Sequence, residues 1–153
     1  MTGSGGGGGV RRDQLRVDPD GQFPIDIPFV RMLGVRLIEF GDGVARMGLA
    51  VRADLQNSFA MAHGGVVMTL LDISMAVAAR AVEPAPDDDL TKGMITIEMK
   101  TSFLRPGRGE LRSLGRCIHR TRALAFCEAE ILDATGAMVA RASGTFKYVK
   151  RRD

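Results

Sequence analysis

His63-Gly64-Gly65-Val66-Val67-Met68-Thr69-Leu70-Leu71-Asp72-Ile73-Ser74-Met75-Ala76-Val77-Ala78-Ala79 is an apolar helical run opened by two glycines and interrupted by one acid. Its apolar side chains fall on nearly every side of a helical wheel, which marks a helix buried in a core. Burying a carboxylate without partners costs several kcal/mol or drives its pKa upward. Of all the acids in the chain, Asp72 is therefore the one best placed to do chemistry. The run is shorter than the roughly 18 uncharged residues of a membrane span, and Asp72 breaks it, so the sequence predicts a soluble protein that does not enter a membrane.

On the N-terminal side of this run, residues 24–34 read as a short helix. Pro28 suits an early helical position, Phe29, Met32 and Leu33 share one side, and Gly34 can terminate it. Residues 35–40 and 43–52 read as strands around the turn Gly41-Asp42-Gly43, with Ala45, Met47, Leu49 and Val51 alternating on one face. A loop, 53–62, leads into the helix, expected over 64–82. Beyond it, Glu83-Pro84-Ala85-Pro86 and the acidic Asp87-Asp88-Asp89 predict a solvated loop. Four strand-like stretches follow, 93–104, 109–120, 123–132 and 137–149. They are separated by Arg105-Pro106-Gly107-Arg108-Gly109, His119-Arg120-Thr121-Arg122 and Asp133-Ala134-Thr135-Gly136. Connections this short predict an antiparallel meander. One long buried helix beside a continuous antiparallel run predicts an α+β domain whose curved sheet wraps the helix.

At 153 residues and 45% hydrophobic, the chain has the size of one domain with a core that needs neither disulfide nor structural metal. The expected organisation is a flexible glycine-rich tail, 1–22, and a single domain, 23–150. The formal charge of +3 leaves no footprint for duplex nucleic acid and suits a small anionic ligand better. Met1 to Val10 lacks the basic and apolar regions of a secretory signal. Cys117 and Cys127 have no paired C-x-x-C spacing, which predicts free thiols in a reducing cytoplasm, although a hairpin can set the two face to face. With His119 they match no common zinc spacing, so no metal is expected.

Asp72 lies eight residues beyond Gly64, roughly 12 Å along a helix rising about 1.5 Å per residue. Helix N-terminal amides make good oxyanion donors, but a donor must sit about 3 Å from the reacting oxygen while a base reaches the adjacent carbon. One helix cannot readily present both groups to one carbonyl. A two-fold dimer can, because the helix start of one subunit meets the aspartate of the other. If the two motifs share a site, a homodimer follows.

Asn57, His63-Gly64-Gly65 and Asp72, with Leu70 two positions before the acid, resemble the hot-dog-fold acyl-CoA thioesterases, on the branch of the phenylacetate-pathway and 4-hydroxybenzoyl-CoA enzymes. In that branch the acid follows the histidine by nine positions and the asparagine precedes the histidine by six, as here. Thr96-Ile97-Glu98-Met99, the turn before Arg108 and Ala123-Leu124-Ala125-Phe126 extend the likeness over roughly residues 29–149. The resemblance implies a hot-dog fold and hydrolysis of an acyl-CoA to a free acid and CoA, without metal or redox cofactor, by a homodimer or a dimer of dimers. It implies that the Gly64 amide polarises the thioester carbonyl, that His63 positions that corner, and that Asp72 acts as general base or as nucleophile. Asn57 would orient water or hold the loop, and Thr96 stands where relatives carry a serine that steers water. Ala60 departs from the glycine many relatives have there. Arg120, Arg122 and Arg108 are candidates for the CoA phosphates, and Met61, Met68, Met75, Met94 and Met99 for an adaptable acyl pocket. Two other readings stay open: a dehydratase or hydratase on hydroxyacyl thioesters, and a non-catalytic acyl-CoA binder.

Overall fold

Pro28 opens the first helix and Gly34 closes it. Helix α1 (Pro28–Leu33) follows Ile27 as N-cap, and Gly34 caps its end at φ 77°, the left-handed region glycine enters without strain. This is shorter than the expected 24–34, because the chain becomes helical only where proline presets φ. Arg52 fastens α1 to the domain by donating from Nη1 to the Leu33 carbonyl at 2.8 Å. The computed structural model describes residues 16–17, 20–23, 25–82 and 92–150. The glycine tract and the acidic run Asp87-Asp88-Asp89 lie outside these. Within the stretch expected as a tail, β1 (Arg16–Val17) pairs with the next strand, and Gly21 accepts from the Leu37 amide at 3.0 Å.

Strands β2 (Arg36–Gly41) and β3 (Val44–Ala50) form the expected hairpin. Asp42 and Gly43 both have positive φ, 47° and 72°, as a tight two-residue turn demands. After a 3-10 turn at Ala53–Leu55 comes α2 (Gly64–Arg80), then β4 (Lys92–Phe103), β5 (Glu110–Arg120), β6 (Leu124–Leu132) and β7 (Met138–Lys150). All pairings are antiparallel, and the strand order is β1-β2-β3-β5-β6-β7-β4.

The order corrects one expectation. Strands β5, β6 and β7 form a meander, but β4 is not its first member: it pairs with β7 at the sheet's edge. Residues 104–109 do not turn back on themselves. The Leu104 and Arg105 amides both donate to the Val139 carbonyl, Gly107 accepts from Ala62, and Gly109 accepts from Val51. The segment thus crosses from the β4 edge to the sheet centre beneath the start of α2. Three strand spacings of about 4.8 Å make a span near 14 Å, within reach of six extended residues.

Helix α2 lies on the inner face of this curved sheet and touches β2 through β7. Val67, Leu70, Leu71, Ser74, Met75, Ala78 and Ala79 are its buried face, packed on Met47, Leu49, Leu111, Ala125, Ile131, Val139 and Phe146. The approach is closest at Gly115, where a Cβ would fall 2.1 Å from the Ser74 carbonyl oxygen. Only glycine lets the helix backbone rest on β5 there. The apolar run predicts a helix covered all round, but in the single chain one side stays partly open. Gly65, Met68, Thr69, Asp72, Ile73, Ala76 and Arg80 form a second stripe that keeps partial exposure. The hot-dog architecture is otherwise as expected.

Candidate active site

The start of α2 is built by its own glycines. His63 is the N-cap, its Nδ1 accepts from the Gly65 amide at 2.9 Å, and its carbonyl accepts from Val66 and Val67. The His63 amide donates to Leu55, which ties the corner to the preceding turn. Among the described residues the Gly64 amide has no hydrogen-bond partner. It is the first N–H of the helix, so no carbonyl of the helix can take it. The Phe103 ring covers this position, 3.7 Å from where a Gly64 Cβ would stand. His63 thus holds the corner through the nitrogen that a base would need, with the proton left to Nε2.

Asp72 sits two turns further along, half-buried on the less covered stripe. The Thr96 hydroxyl donates to its Oδ1 at 2.8 Å. Burial raises the carboxyl pKa above its ordinary value of 3.8, and the Thr96 hydrogen bond partly opposes the rise. A carboxylate so placed retains appetite for a proton, which is the property of a general base.

Asn57 organises the loop between β3 and α2. Its Oδ1 accepts from the amides of Phe59 at 2.9 Å and Met61 at 3.4 Å, while its own amide donates to the Met61 carbonyl. The carbonyl end of the side chain is thus spent on the turn. Ala60, the departure from glycine, adopts φ 55°, so the loop keeps a glycine-like conformation despite the side chain.

Strand β4 supplies the opposite wall, and its phase is set by a bulge the sequence conceals. Thr96 pairs with Phe146 and Glu98 with Thr145, so Ile97 is an extra residue and the two flanking side chains leave on opposite faces. Glu98, which unbroken strand alternation would set on the Thr96 face, instead accepts from Thr145 Oγ1 at 2.7 Å on the outer face. Beyond the bulge Met99, Thr101 and Phe103 pair with Gly144, Ala142 and Ala140, all buried, and so share the inner face. Phe103 over Gly64 was not legible as a site residue, nor was Thr101, whose buried hydroxyl has no partner among the described residues. Strand alternation could have found both only with the bulge in hand.

The three arginines do not form one cluster. Arg108 lies on the crossover that meets Ala62, at the Gly64 end of the helix. Arg120 and Arg122 flank the β5–β6 turn at the other end, where Arg120 lies 5.4 Å from the Tyr148 ring centroid and Tyr148 donates to the Ala79 carbonyl near the end of α2. Met75 is fully buried, whereas Met68 is partly exposed on the Asp72 stripe. A cleft of about 340 Å³ lies on the outer face, lined by Lys100, Arg116, Glu128, Glu130 and Arg141 among others, and no residue around Asp72 reaches it. Among the described residues no helix is long and apolar enough to cross a membrane.

Comparison with known proteins agrees with this architecture. Residues 59–140, a segment that includes α2 and Asp72, match the Thioesterase superfamily. The medium/long-chain acyl-CoA thioesterase YigI of Escherichia coli is 24% identical over 135 residues, covering 81% of this chain and 87% of YigI. Conserved protein PA5202 of Pseudomonas aeruginosa superposes with a TM-score of 0.74 at 28% identity, over 81% of this chain and 95% of that one. The PaaI protein of the E. coli phenylacetic acid degradation operon superposes at 0.72 and 21% identity, over 81% and 86%, and shares the fold. The chain belongs to the thioesterase superfamily, as a hot-dog enzyme of thioester hydrolysis.

Proposed function

We propose that the protein hydrolyses acyl-CoA thioesters to free acid and CoA in the cytoplasm, in sites shared between two copies of the chain. The observation that carries this is Asp72: a half-buried carboxyl with raised proton affinity, bonded to Thr96, on the partly exposed stripe of α2. The unclaimed Gly64 amide polarises the carbonyl, His63 and Asn57 hold the corner and loop, and Asp72 activates water or attacks the carbonyl carbon. Thr96 steers the carboxylate. Gly64 and Asp72 stand two turns apart on one helix, so the reading takes the amide from one subunit and the acid from its partner.

Two features of the single chain support that assembly. Ile95 and Ile97 are 50% and 53% exposed on the outer strand of the sheet, and Phe103 beside Gly64 is 55% exposed. Among the described residues β4 has no strand on its far side, and an edge strand with exposed apolar side chains is a template for pairing with another strand. The Met68, Ile73 and Ala76 stripe would be covered by the same partner. Arg108 at the Gly64 end, and Arg120 and Arg122 at the other, remain the candidate phosphate contacts. Either route for Asp72 draws on no cofactor beyond the CoA of the substrate.

Thiol release from a panel of short, medium and aromatic acyl-CoAs tests the reading. Wild type releases free CoA, and Asp72→Asn lowers kcat by about 10²–10⁴-fold while acyl-CoA binding persists, the range for loss of a general base. Full activity in Asp72→Asn removes the assignment. A hydrated or dehydrated product without free thiol replaces it with the dehydratase reading.

A further inference from the structure

Cys117 on β5 and Cys127 on β6 are direct cross-strand partners. Residues so paired have Cα atoms about 4.5–5.5 Å apart, inside the span of about 4.4–6.8 Å that a disulfide bridges. A bulge at Ile118 separates Cys117 from His119: Cys117 faces inward with Cys127, while His119 pairs and stacks with Phe126 on the other face. The two thiols are neighbours on the inner face, and the Cys117 thiol donates to the His119 carbonyl at 3.6 Å. They differ in access, because Cys127 is 2% exposed and Cys117 is only half-buried. Cys117 and Val82, just past the end of α2, both approach Gly43, so the pair lies toward the far end of the helix from Gly64.

We propose that Cys117 and Cys127 form a two-electron redox site that reacts with hydroperoxides and closes to a cross-strand disulfide. The Cys117 sulfur attacks the peroxide oxygen, the O–O bond breaks, and the leaving oxygen departs with the thiol proton as water or alcohol, leaving a sulfenic acid. The Cys127 sulfur then attacks the Cys117 sulfur, the S–O bond breaks, and the hydroxyl leaves as water with the Cys127 proton. Two thiols are oxidised and one peroxide is reduced. The division of labour follows from the environment. Cys117 is the thiol a peroxide can reach, and its neighbour Cys127 holds it below the usual range, against burial and with help from the Arg120 cation, whereas Cys117 and burial push the enclosed Cys127 thiol up. The more accessible thiol is thus the attacking one, and the buried thiol faces it across the strand pair.

Titration of the reduced full-length protein with hydrogen peroxide tests this by mass spectrometry of a non-reducing tryptic digest. The expected product links peptide 117–120 to peptide 123–141 with the loss of two hydrogens, raises Tm, and reverts with dithiothreitol. Cys127→Ser or Cys127→Ala stops at a dimedone-trappable sulfenic acid on Cys117, and Cys117→Ser does not react. Oxidation of wild-type Cys117 to sulfinic acid without the link, a link between chains only, or two inert thiols overturns the proposal. None of these readouts uses thioester hydrolysis, so the site stands or falls apart from that activity.

Discussion

Two polar residues on α2, Asp72 and Ser74, lie two positions apart and on different faces, and their surroundings are opposite in kind. Ser74 is wholly buried, and its hydroxyl meets the Leu70 carbonyl at 2.6 Å, Ser113 Oγ at 2.6 Å and Met47 Sδ at 3.5 Å. It is neutral and satisfied, so its burial is a solved problem of packing. Asp72 accepts from Thr96, keeps partial exposure, and has a carboxyl that burial makes reluctant to ionise. An environment that disfavours its charge, on a stripe that the fold leaves partly open, is what the proposed role of Asp72 draws on. The contrast separates what holds the helix from what the helix presents.

Breaking the packing side of the comparison has the largest expected effect. Gly115→Ala drives a methyl into the Ser74 carbonyl, and because the obstacle is backbone the helix itself must shift. We expect a loss of about 3 kcal/mol or more, read as a lower urea midpoint, at the upper end of overpacking costs. An unchanged midpoint would mean that α2 does not bear on β5 at this point. Next in size is Ser113→Ala, which takes one bond from the Ser74 hydroxyl but leaves its bond to Leu70. A cost of about 1 kcal/mol is expected in the same measurement.

Sharpening the functional side calls for pH. The folded-state pKa of Asp72 is raised, so its contribution to stability is fully present below the unfolded pKa and is lost as pH rises through the folded value. Asp72→Asn has no such loss. The variant should therefore unfold at a slightly higher temperature than wild type near neutral pH, with the gap closing on acidification into the ordinary aspartate range. A variant less stable than wild type at pH 7 would make Asp72 a structural residue. The smallest effect belongs to Thr96→Val. Its hydroxyl lowers the Asp72 pKa, so the acid limb of kcat/KM should move to higher pH without it. An unmoved limb would assign that limb to another group.

Much of the fold was legible in the sequence because the patterns that determine it are local. The apolar run and its glycines mark α2, and Asp42 and Gly43 mark the first hairpin. The position of β4 was not legible, since a five-residue connection rich in proline and glycine serves a hairpin and a crossover equally well. It is the Val139, Ala62 and Val51 hydrogen bonds, long-range all, that choose the crossover. The bulges at Ile97 and Ile118 were hidden for a related reason: one extra residue inverts the face of every side chain beyond it and leaves no mark in composition. Thus Asp72 could be singled out from its own neighbours, whereas the side on which Glu98 lies and the place of Phe103 over Gly64 could not.

The central claim is that Gly64 of one subunit and Asp72 of its partner serve one thioester. Gly64 is the first helical position, His63 before it has φ −60° and ψ 139°, and proline suits such a place, replacing the N–H with a ring whose Cβ would stand in ordinary contact with Phe103 at 3.7 Å. Gly64→Pro and Asp72→Asn should each be nearly inactive alone. Co-expressed in equal amounts, half of the dimers pair one of each, and every such dimer has one site free of both changes, which restores about a quarter of wild-type thiol release. A mixture that stays as inactive as its parents, although mixed dimers are shown to form, would contradict the shared site.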